Sequence, residues 1–465
     1  MVTGNPMPIC TSNQFKDQAQ SALNDEQLQT ALKRAKSGFI NKRIGAISLV
    51  DDFDVLKYKA QQAKKYALSN LDNLIKEFTQ NVQKSGGHVH FASTPEELND
   101  IVFSICNQQR AKRITKGKSM ISEETGLNNF LENNGLEIIE TDLGEYIIQL
   151  ANEPPSHIIA PAVHKTRQQV AQLFSQSHKL GKRELETISE LVEEARQVLR
   201  QAFLTADIGI TGANLLVAET GSVVLVTNEG NGDLAATYPK THIVTTSIEK
   251  IVSSMEDAGA VLEVLGRSAT GQPMSTYTTF FTGPKRADDL DGPEQFHIIL
   301  LDNGRKALLN SEFSDILRCI KCGACLNHCP VYSNTGGHAY GWVYPGPMGS
   351  VLTPLIKGLD NALPLPNASS FCGRCEEVCP MGIPLPSLLR KLRRNQHEVN
   401  LEPKLWRIGL QFHNWLTLHP KLYQQGLSVI NKVLWFTRSF RRDSLICPSE
   451  ANTFMEQWKK RHHVE

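Results

Sequence analysis

At 465 residues the chain is long enough for two or three domains, and a hydrophobic share of 40% is that of an ordinary soluble protein. A net charge of +1 argues against wholesale nucleic-acid binding. No apolar run reaches the length of a membrane span, and residues 1–24 lack the basic start and apolar core of a signal peptide, so a cytoplasmic protein is expected.

Residues 1–85 read as a helical arm. Segments 25–38 and 55–84 are rich in Ala, Leu, Lys and Gln, and Leu68, Leu71, Leu74, Ile75 and Phe78 recur at helical spacing. From 86 to 304 the texture changes to short strands alternating with helices. Strands are expected at 88–92, 119–122, 136–140, 158–161, 215–218, 223–227, 242–246 and 297–301. Thr94-Pro95-Glu96-Glu97 reads as a helix start, and a long amphipathic helix is expected over 183–203. This pattern predicts an α/β domain with a largely parallel sheet, closing near Asp302-Asn303-Gly304.

The α/β segment has no P-loop and no GxGxxG between strand and helix, so bound ATP or NAD is not indicated. It does gather polar residues and glycines at expected strand ends: Thr211-Gly212-Ala213-Asn214, Glu219-Thr220-Gly221 and Asn228-Glu229-Gly230-Asn231. These read either as turns or as the rim of a small-molecule pocket, since open α/β sheets place ligands at strand ends. Asn214, Glu219, Asn228 and Glu229 are the candidate pocket residues. No catalytic residue is assigned.

Residues 305–395 carry the strongest signal. Cys319, Cys322, Cys325 and Cys329-Pro330 form C-x2-C-x2-C-x3-C-P, a run used to hold [4Fe–4S] clusters, whose fourth Cys ligates the other cluster of a pair. Cys372, Cys375 and Cys379-Pro380 supply the second half-motif. Exchange of the fourth ligand gives Cys319, Cys322, Cys325 and Cys379 to a first [4Fe–4S] cluster, and leaves Cys329, Cys372 and Cys375 for a second. In register, Ser369 stands where an eighth cysteine would fall. The second cluster is therefore [3Fe–4S], or [4Fe–4S] with one iron held by Ser369, water or a partner. Structural zinc is the competing reading, but it explains neither the three-residue steps nor the Cys-Pro endings. Seven of the ten cysteines lie in these motifs, which points to a reducing compartment; Cys10, Cys106 and Cys447 read as structural thiols.

Lys321 and Arg374 place positive charge beside ligands, which reads either as a setting that favours reduced clusters or as ordinary solvated cations. His328 and His338 are read as hydrogen-bonding neighbours of the cysteines. A long insertion parts Cys329 from Cys372, with a helix expected at 348–359; this suits a helical ferredoxin type. The region 396–465 follows a basic helix (386–396, with Arg390, Lys391, Arg393 and Arg394). Beyond Pro403, Trp406, Ile408, Leu410, Phe412, Trp415 and Leu418 outline one amphipathic helix. Leu427, Ile430, Val433, Leu434 and Phe436 outline another, ending in Arg438, Arg441 and Arg442. Such helices cover an interface or lie on a membrane surface.

Several of these stretches together resemble the lactate-utilisation domain family and its iron–sulfur members. They include Thr141-Asp142-Leu143-Gly144-Glu145, Pro155-Ser156-His157-Ile158-Ile159, Ile248-Glu249-Lys250, Leu301-Asp302-Asn303-Gly304-Arg305 and the three polar runs above. The first cysteine motif, Gly336-Gly337-His338-Ala339-Tyr340-Gly341 and Tyr344-Pro345-Gly346-Pro347 fit as well, so the resemblance spans roughly residues 66–386. It implies a sugar-phosphate isomerase/CoA-transferase-like α/β domain, an all-α helical ferredoxin-type two-cluster domain and a helical C-terminal tail. It also implies an electron-carrying subunit of a complex oxidising L-lactate to pyruvate. The expected partners are the other subunits, with a peripheral membrane or quinone-side contact and no nucleic acid. The seven-cysteine arrangement with Ser369 fits the family; Ser247 departs from it, standing where the pattern has Gly. The alternative is an enzyme whose α/β domain acts on a CoA ester or sugar phosphate, its clusters structural or redox-sensing.

Overall fold

Strands dominated by β-branched and apolar residues assemble the centre of the molecule. In the computed structural model, which describes residues 9–181, 183–401, 404–436 and 452–462, they form two sheets. The strands are β1 (His88–Ala92), β2 (Arg113–Lys116), β3 (Glu137–Glu140), β4 (Ile208–Thr211), β5 (Leu215–Val217), β6 (Ser222–Thr227), β7 (Thr241–Ser247), β8 (Ile251–Val252), β9 (Tyr277–Phe281) and β10 (Gln295–Leu301). The larger sheet has the order β1-β10-β7-β4-β2-β3, with every neighbouring pair parallel. Its strands feed two cores alternately. Ile243, Ile299 and Leu301 join the core packed on the helix Pro95–Gln108. Val244, Ile298 and Leu300 join that of the helix Leu71–Lys84. Burial on both faces is what a parallel sheet demands of its strands.

The smaller sheet, β8-β5-β6-β9, holds the antiparallel pair β5–β6. Gly221 closes it with a φ of +69°, and a Cβ there would lie 2.6 Å from the Val82 nitrogen. Both the conformation and the close approach require glycine.

Two expected strands are not strands. Residues 119–122 begin the helix Met120–Thr125, because the Ser119 hydroxyl accepts from the Ser122 N–H (3.3 Å) and caps it. At 158–161 the chain curls instead, as Nδ1 of His157 accepts from the N–H groups of Ile159 (3.0 Å) and Ala160 (3.1 Å). The helix expected over 183–203 is Ile188–Thr205, started by a capping box between Thr187 and Glu190. In the arm, the segment expected as one helix over 55–84 breaks at Asn70 into Phe53–Ser69 and Leu71–Lys84. The Asn70 side chain donates to the Tyr66 carbonyl (3.0 Å), so it competes with the helix ladder.

Residues from Met1 to Arg393 make one compact unit. A single core contains Phe15, Ala60 and Leu68 of the arm, Val217 and Val252 of the smaller sheet, and Leu326, Tyr340 and Met348 of the cysteine-bearing segment. The second unit, Arg394–Glu465, contains the helices Lys404–Thr417, Pro420–Phe436 and Phe454–His462, none of which buries a residue. No helix among the described residues is long and apolar enough to cross a membrane. Pro403, Cys447 and the basic helix end with Arg438, Arg441 and Arg442 lie outside the described residues.

Candidate iron–sulfur site and adjoining cavity

The two cysteine motifs adopt the same backbone path. Lys321 (φ +58°) precedes Cys322 and Phe371 (φ +55°) precedes Cys372, both left-handed at a non-glycine residue. Each cysteine is followed by a left-handed glycine, Gly323 or Gly373, and then a short helix. The Lys321 N–H donates to Sγ of Cys319 (3.4 Å), and the Phe371 N–H donates to Oγ of Ser369 (3.1 Å). Ser369 thus takes, in the second motif, the hydrogen bond that Cys319 takes in the first.

Four thiols from both motifs, Cys319, Cys322, Cys325 and Cys379, line one small cavity walled by Ile158, Met348, Ile383 and Leu385. Burial, with repulsion from the neighbouring thiolates, pushes Cys322 up to about 12 and Cys325 well above the ordinary thiol range. Arg43, reaching in from the arm helix Glu26–Ile47 to donate to the Val378 carbonyl (3.1 Å), offsets this in part. Four thiols converging in an apolar nest, Cys322 buried and the other three partly so, are a donor set that fits an iron–sulfur cluster.

The remaining cysteines differ in exposure: Cys329 and Cys375 are buried, Cys372 is exposed. Burial and then the proximity of Cys329 and Cys372 push Cys375 up to about 12, so these three thiols also share one neighbourhood. The Tyr332 N–H donates to Sγ of Cys329 (3.5 Å). Of the two flanking cations, Lys321 is buried, with Nζ 4.2 Å from the centre of the Tyr344 ring and 3.9 Å from Sδ of Met348. Arg374 instead pairs with Glu377 at the surface. His328 bonds the Ala324 carbonyl through Nδ1 (2.9 Å), and His338 bonds the Pro154 carbonyl through Nε2 (2.8 Å).

Motifs distant in sequence meet behind the first nest. Arg305 makes two bonds to Glu124 (2.7 and 3.0 Å) and pairs through Nε with Glu249 (2.9 Å). Tyr344 donates to the same Glu124 (2.6 Å), as does Asn303 (2.6 Å). Lys64 of the arm donates to the Glu249 carbonyl. Burial would raise both acids, but Arg305 outweighs it; with Lys321 it holds Glu249 down to about 2.

The second cavity lies at the carboxyl ends of the sheet. After β2 the chain steps outward to β3, whereas β4, β7 and β10 step the other way, so β2 and β4 flank a topological switch point. There a cavity of about 260 Å³ is lined by Lys118, Ser119, Asn214, Glu229, Asn231 and Lys250, and by Ile320 and Lys321 between two cysteines of the first nest. It shares Asn228 and Thr270 with an open groove of about 1390 Å³ that carries Arg34, Lys42, Lys165 and Arg167. Asn214 shapes the rim by accepting from the Val226 N–H (2.9 Å), and Asn228 accepts from the Thr276 N–H (3.3 Å). Burial, then the nearby Asp142, raises Glu229.

Glu219 is not among the residues lining this cavity; its carboxylate accepts from the Met255 N–H (3.0 Å) at the start of the helix Met255–Ala269. As cavity residues, Lys118 and Lys250 escaped the sequence reading. Gly117-Lys118-Ser119 directly follows β2, but the strand is expected six residues later, at 119–122, which hid the strand-end position of Lys118.

Two family models match the chain: LUD domain over residues 75–301, and 4Fe-4S dicluster domain over residues 315–383. An α/β domain joined to a dicluster segment defines an iron–sulfur protein. Lactate utilization protein B of Bacillus licheniformis is 42% identical over 89% of this chain and 87% of its own length. The Bacillus subtilis protein of that name is 44% identical over 82% and 79%, and the Escherichia coli K12 uncharacterized electron transport protein YkgF 40% over 92% and 90%. The chain belongs to the lactate utilization protein B family. A crystallised duf162 family protein from Deinococcus radiodurans covers 50% of the chain at 14% identity, with a TM-score of 0.28 too low to support comparison.

Proposed function

We propose that the chain is the iron–sulfur electron-transfer component of a system that uses L-lactate, accepting electrons released as lactate becomes pyruvate. The observation that carries this reading is the pair of cysteine nests, the first completed by a cysteine from the second motif. Cys319, Cys322, Cys325 and Cys379 would hold a [4Fe–4S] cluster. Cys329, Cys372 and Cys375 would hold the second, of [4Fe–4S] type with Ser369 as its oxygen ligand or of [3Fe–4S] type without it. Bound clusters supply single-electron transfer, with potentials set by charge, hydrogen bonds and exposure. The chain's own residues do the tuning. Backbone N–H groups donate to Cys319 and Cys329, Lys321 adds buried charge, and apolar side chains wall the first nest.

The partners that fit this role are further subunits of the lactate-oxidising assembly. The second unit, with Trp406, Phe412 and Trp415 exposed, is the surface for such a partner or for peripheral contact with the cytoplasmic face of a membrane near the quinone pool. The division into an arm (1–85), an α/β domain of the sugar-phosphate isomerase/CoA-transferase kind (86–304), a helical cluster segment (305–395) and a tail (396–465) is part of the same reading.

The test is iron and sulfide analysis with low-temperature EPR on anaerobically purified protein, before and after lactate is added with the partner proteins. About eight irons per chain, and reduced-cluster signals that appear only with lactate and partners, are expected. Clusters that lactate never reduces would instead favour the second reading, which the switch-point cavity supports: an α/β enzyme acting on a CoA ester or sugar phosphate. That reading requires turnover by the isolated chain and its survival in Cys322→Ser.

A further inference from the structure

The arm helix Glu26–Ile47 carries Lys33, Arg34, Lys36, Lys42 and Arg43 against a single acid, Glu26. Lys36, Phe39 and Arg43 follow one another at steps of three and four residues, so they share one face of it. That face meets the rest of the molecule at three points around the cysteines. Lys36 donates through Nζ to Oγ of Ser333 (3.3 Å), whose own N–H donates to the Cys329 carbonyl (3.0 Å). The Phe39 ring stacks on His157, with centroids 5.2 Å apart and 10° between planes. Nε2 of His157 in turn donates to Oδ1 of Asn327 (3.0 Å), between Cys325 and Cys329. Arg43 donates to the carbonyl of Val378 (3.1 Å), the residue before Cys379. One cation of the helix is thus fastened beside each nest, Arg43 at the first and Lys36 at the second.

Neither cation is neutralised. Among the described residues neither forms an ion pair, and Nε of Arg43 is shut off from solvent without a hydrogen bond. The cations within the motifs differ: Arg318 pairs with Asp315 (2.7 Å), Arg374 with Glu377, and Lys321 lies in the field of the buried Glu249. Reduction gives a cluster one more negative charge, so an unpaired cation nearby stabilises the reduced form and raises the potential. Partly buried charges are also screened little by salt. Arg43 lies close enough to act on Cys322 and Cys379, and Lys36 on Cys329. We infer that Arg43 and Lys36 set the potentials of the first and second cluster separately, which makes the arm helix a determinant of the step in potential between them.

The inference deepens the electron-carrier reading and rests on its assignment of cysteines to clusters. The experiment is a redox titration followed by low-temperature EPR on the anaerobically prepared, cluster-loaded full chain. The first cluster's signal is identified by its loss in Cys322→Ser. Arg43→Gln, which keeps a donor for the Val378 carbonyl, is expected to lower the first midpoint potential and leave the second in place. Lys36→Gln should lower the second alone. Arg43→Lys and Lys36→Arg, which keep the charge, should hold both midpoints at the wild-type values. Midpoints unmoved by both Gln variants, a fall as large in the charge-keeping variants, or equal shifts of both clusters in either Gln variant would each overturn the inference. Should Arg43→Gln lose its iron, the Lys36 pair of variants decides the matter at the second cluster. Failure of the electron-carrier reading looks different: the midpoints move as expected while lactate and partners never reduce the clusters.

Discussion

Ser369 and Cys319 show how one atom separates two otherwise equivalent positions of the paired motifs, since both accept a hydrogen bond from the left-handed residue two places on. Ser369→Cys is accordingly expected to keep the fold, give a full cysteine set to the second nest and change only that cluster's EPR signature. Cys322→Ser should lower iron content by about half and leave the second signal in place, as metal analysis with EPR can check. Behind the first nest, Arg305→Met leaves the buried Glu124 and Glu249 without the guanidinium that bridges them. It should destabilise the fold by about 3–5 kcal/mol in chemical denaturation. His242 sits fully buried between Phe281 and Phe296, bonded to Thr211 (2.7 Å), and burial pushes it down from 6.5 to about 3. Above pH 6.5 the ring is neutral folded or unfolded. Below it only the unfolded chain takes up the proton, so stability should fall by about 1.4 kcal/mol for each pH unit toward 3. A denaturation series below pH 6.5 should show this slope flattened in His242→Gln.

Among elements, those whose side chains declare a single environment were legible. β1, β7 and β10 read as strands from their β-branched and apolar runs, and the helix at Pro95 from its Thr-Pro-Glu-Glu start. β2 was not, because its last residue is a lysine buried within the sheet. Lys116 is paired with Glu140 (2.7 Å) directly across β2–β3, a tertiary partnership that no local pattern displays. The helix Gly346–Lys357 was expected nearly in place despite its internal Pro354. The cysteine motifs stand out in the sequence because cluster ligation restricts residue type and spacing together, whereas the neighbouring cavity draws on loops after β2, β4, β6 and β7, which spacing cannot connect. Gly337 marks another such junction. A Cβ there would stand 1.8 Å from the Ser156 carbonyl oxygen, so Gly337→Ala should lower the unfolding midpoint markedly by forcing the 153–166 loop off the cysteine-bearing segment.

At the scale of the whole chain, the arm, the smaller sheet and the cysteine segment share one core, and the last helices form a unit of their own. A chain ending at Leu401 should therefore keep its iron and its unfolding midpoint, while losing any co-sedimentation with anionic vesicles or partner subunits that the full chain shows. The common core also explains why the arm cannot be treated as an appendage. Arg43 and Lys64, both in arm helices, reach respectively the first nest and the Glu249 backbone.

The sharing of one nest by Cys379 with Cys319, Cys322 and Cys325 has a bearing on biosynthesis. Three of these sulfurs leave the ribosome well ahead of the fourth, and by then the entire sheet has been made. On the proposed ligand set, the first receptacle is complete only once Cys379 has been made, and a nascent chain stalled before it would offer three of the four thiols.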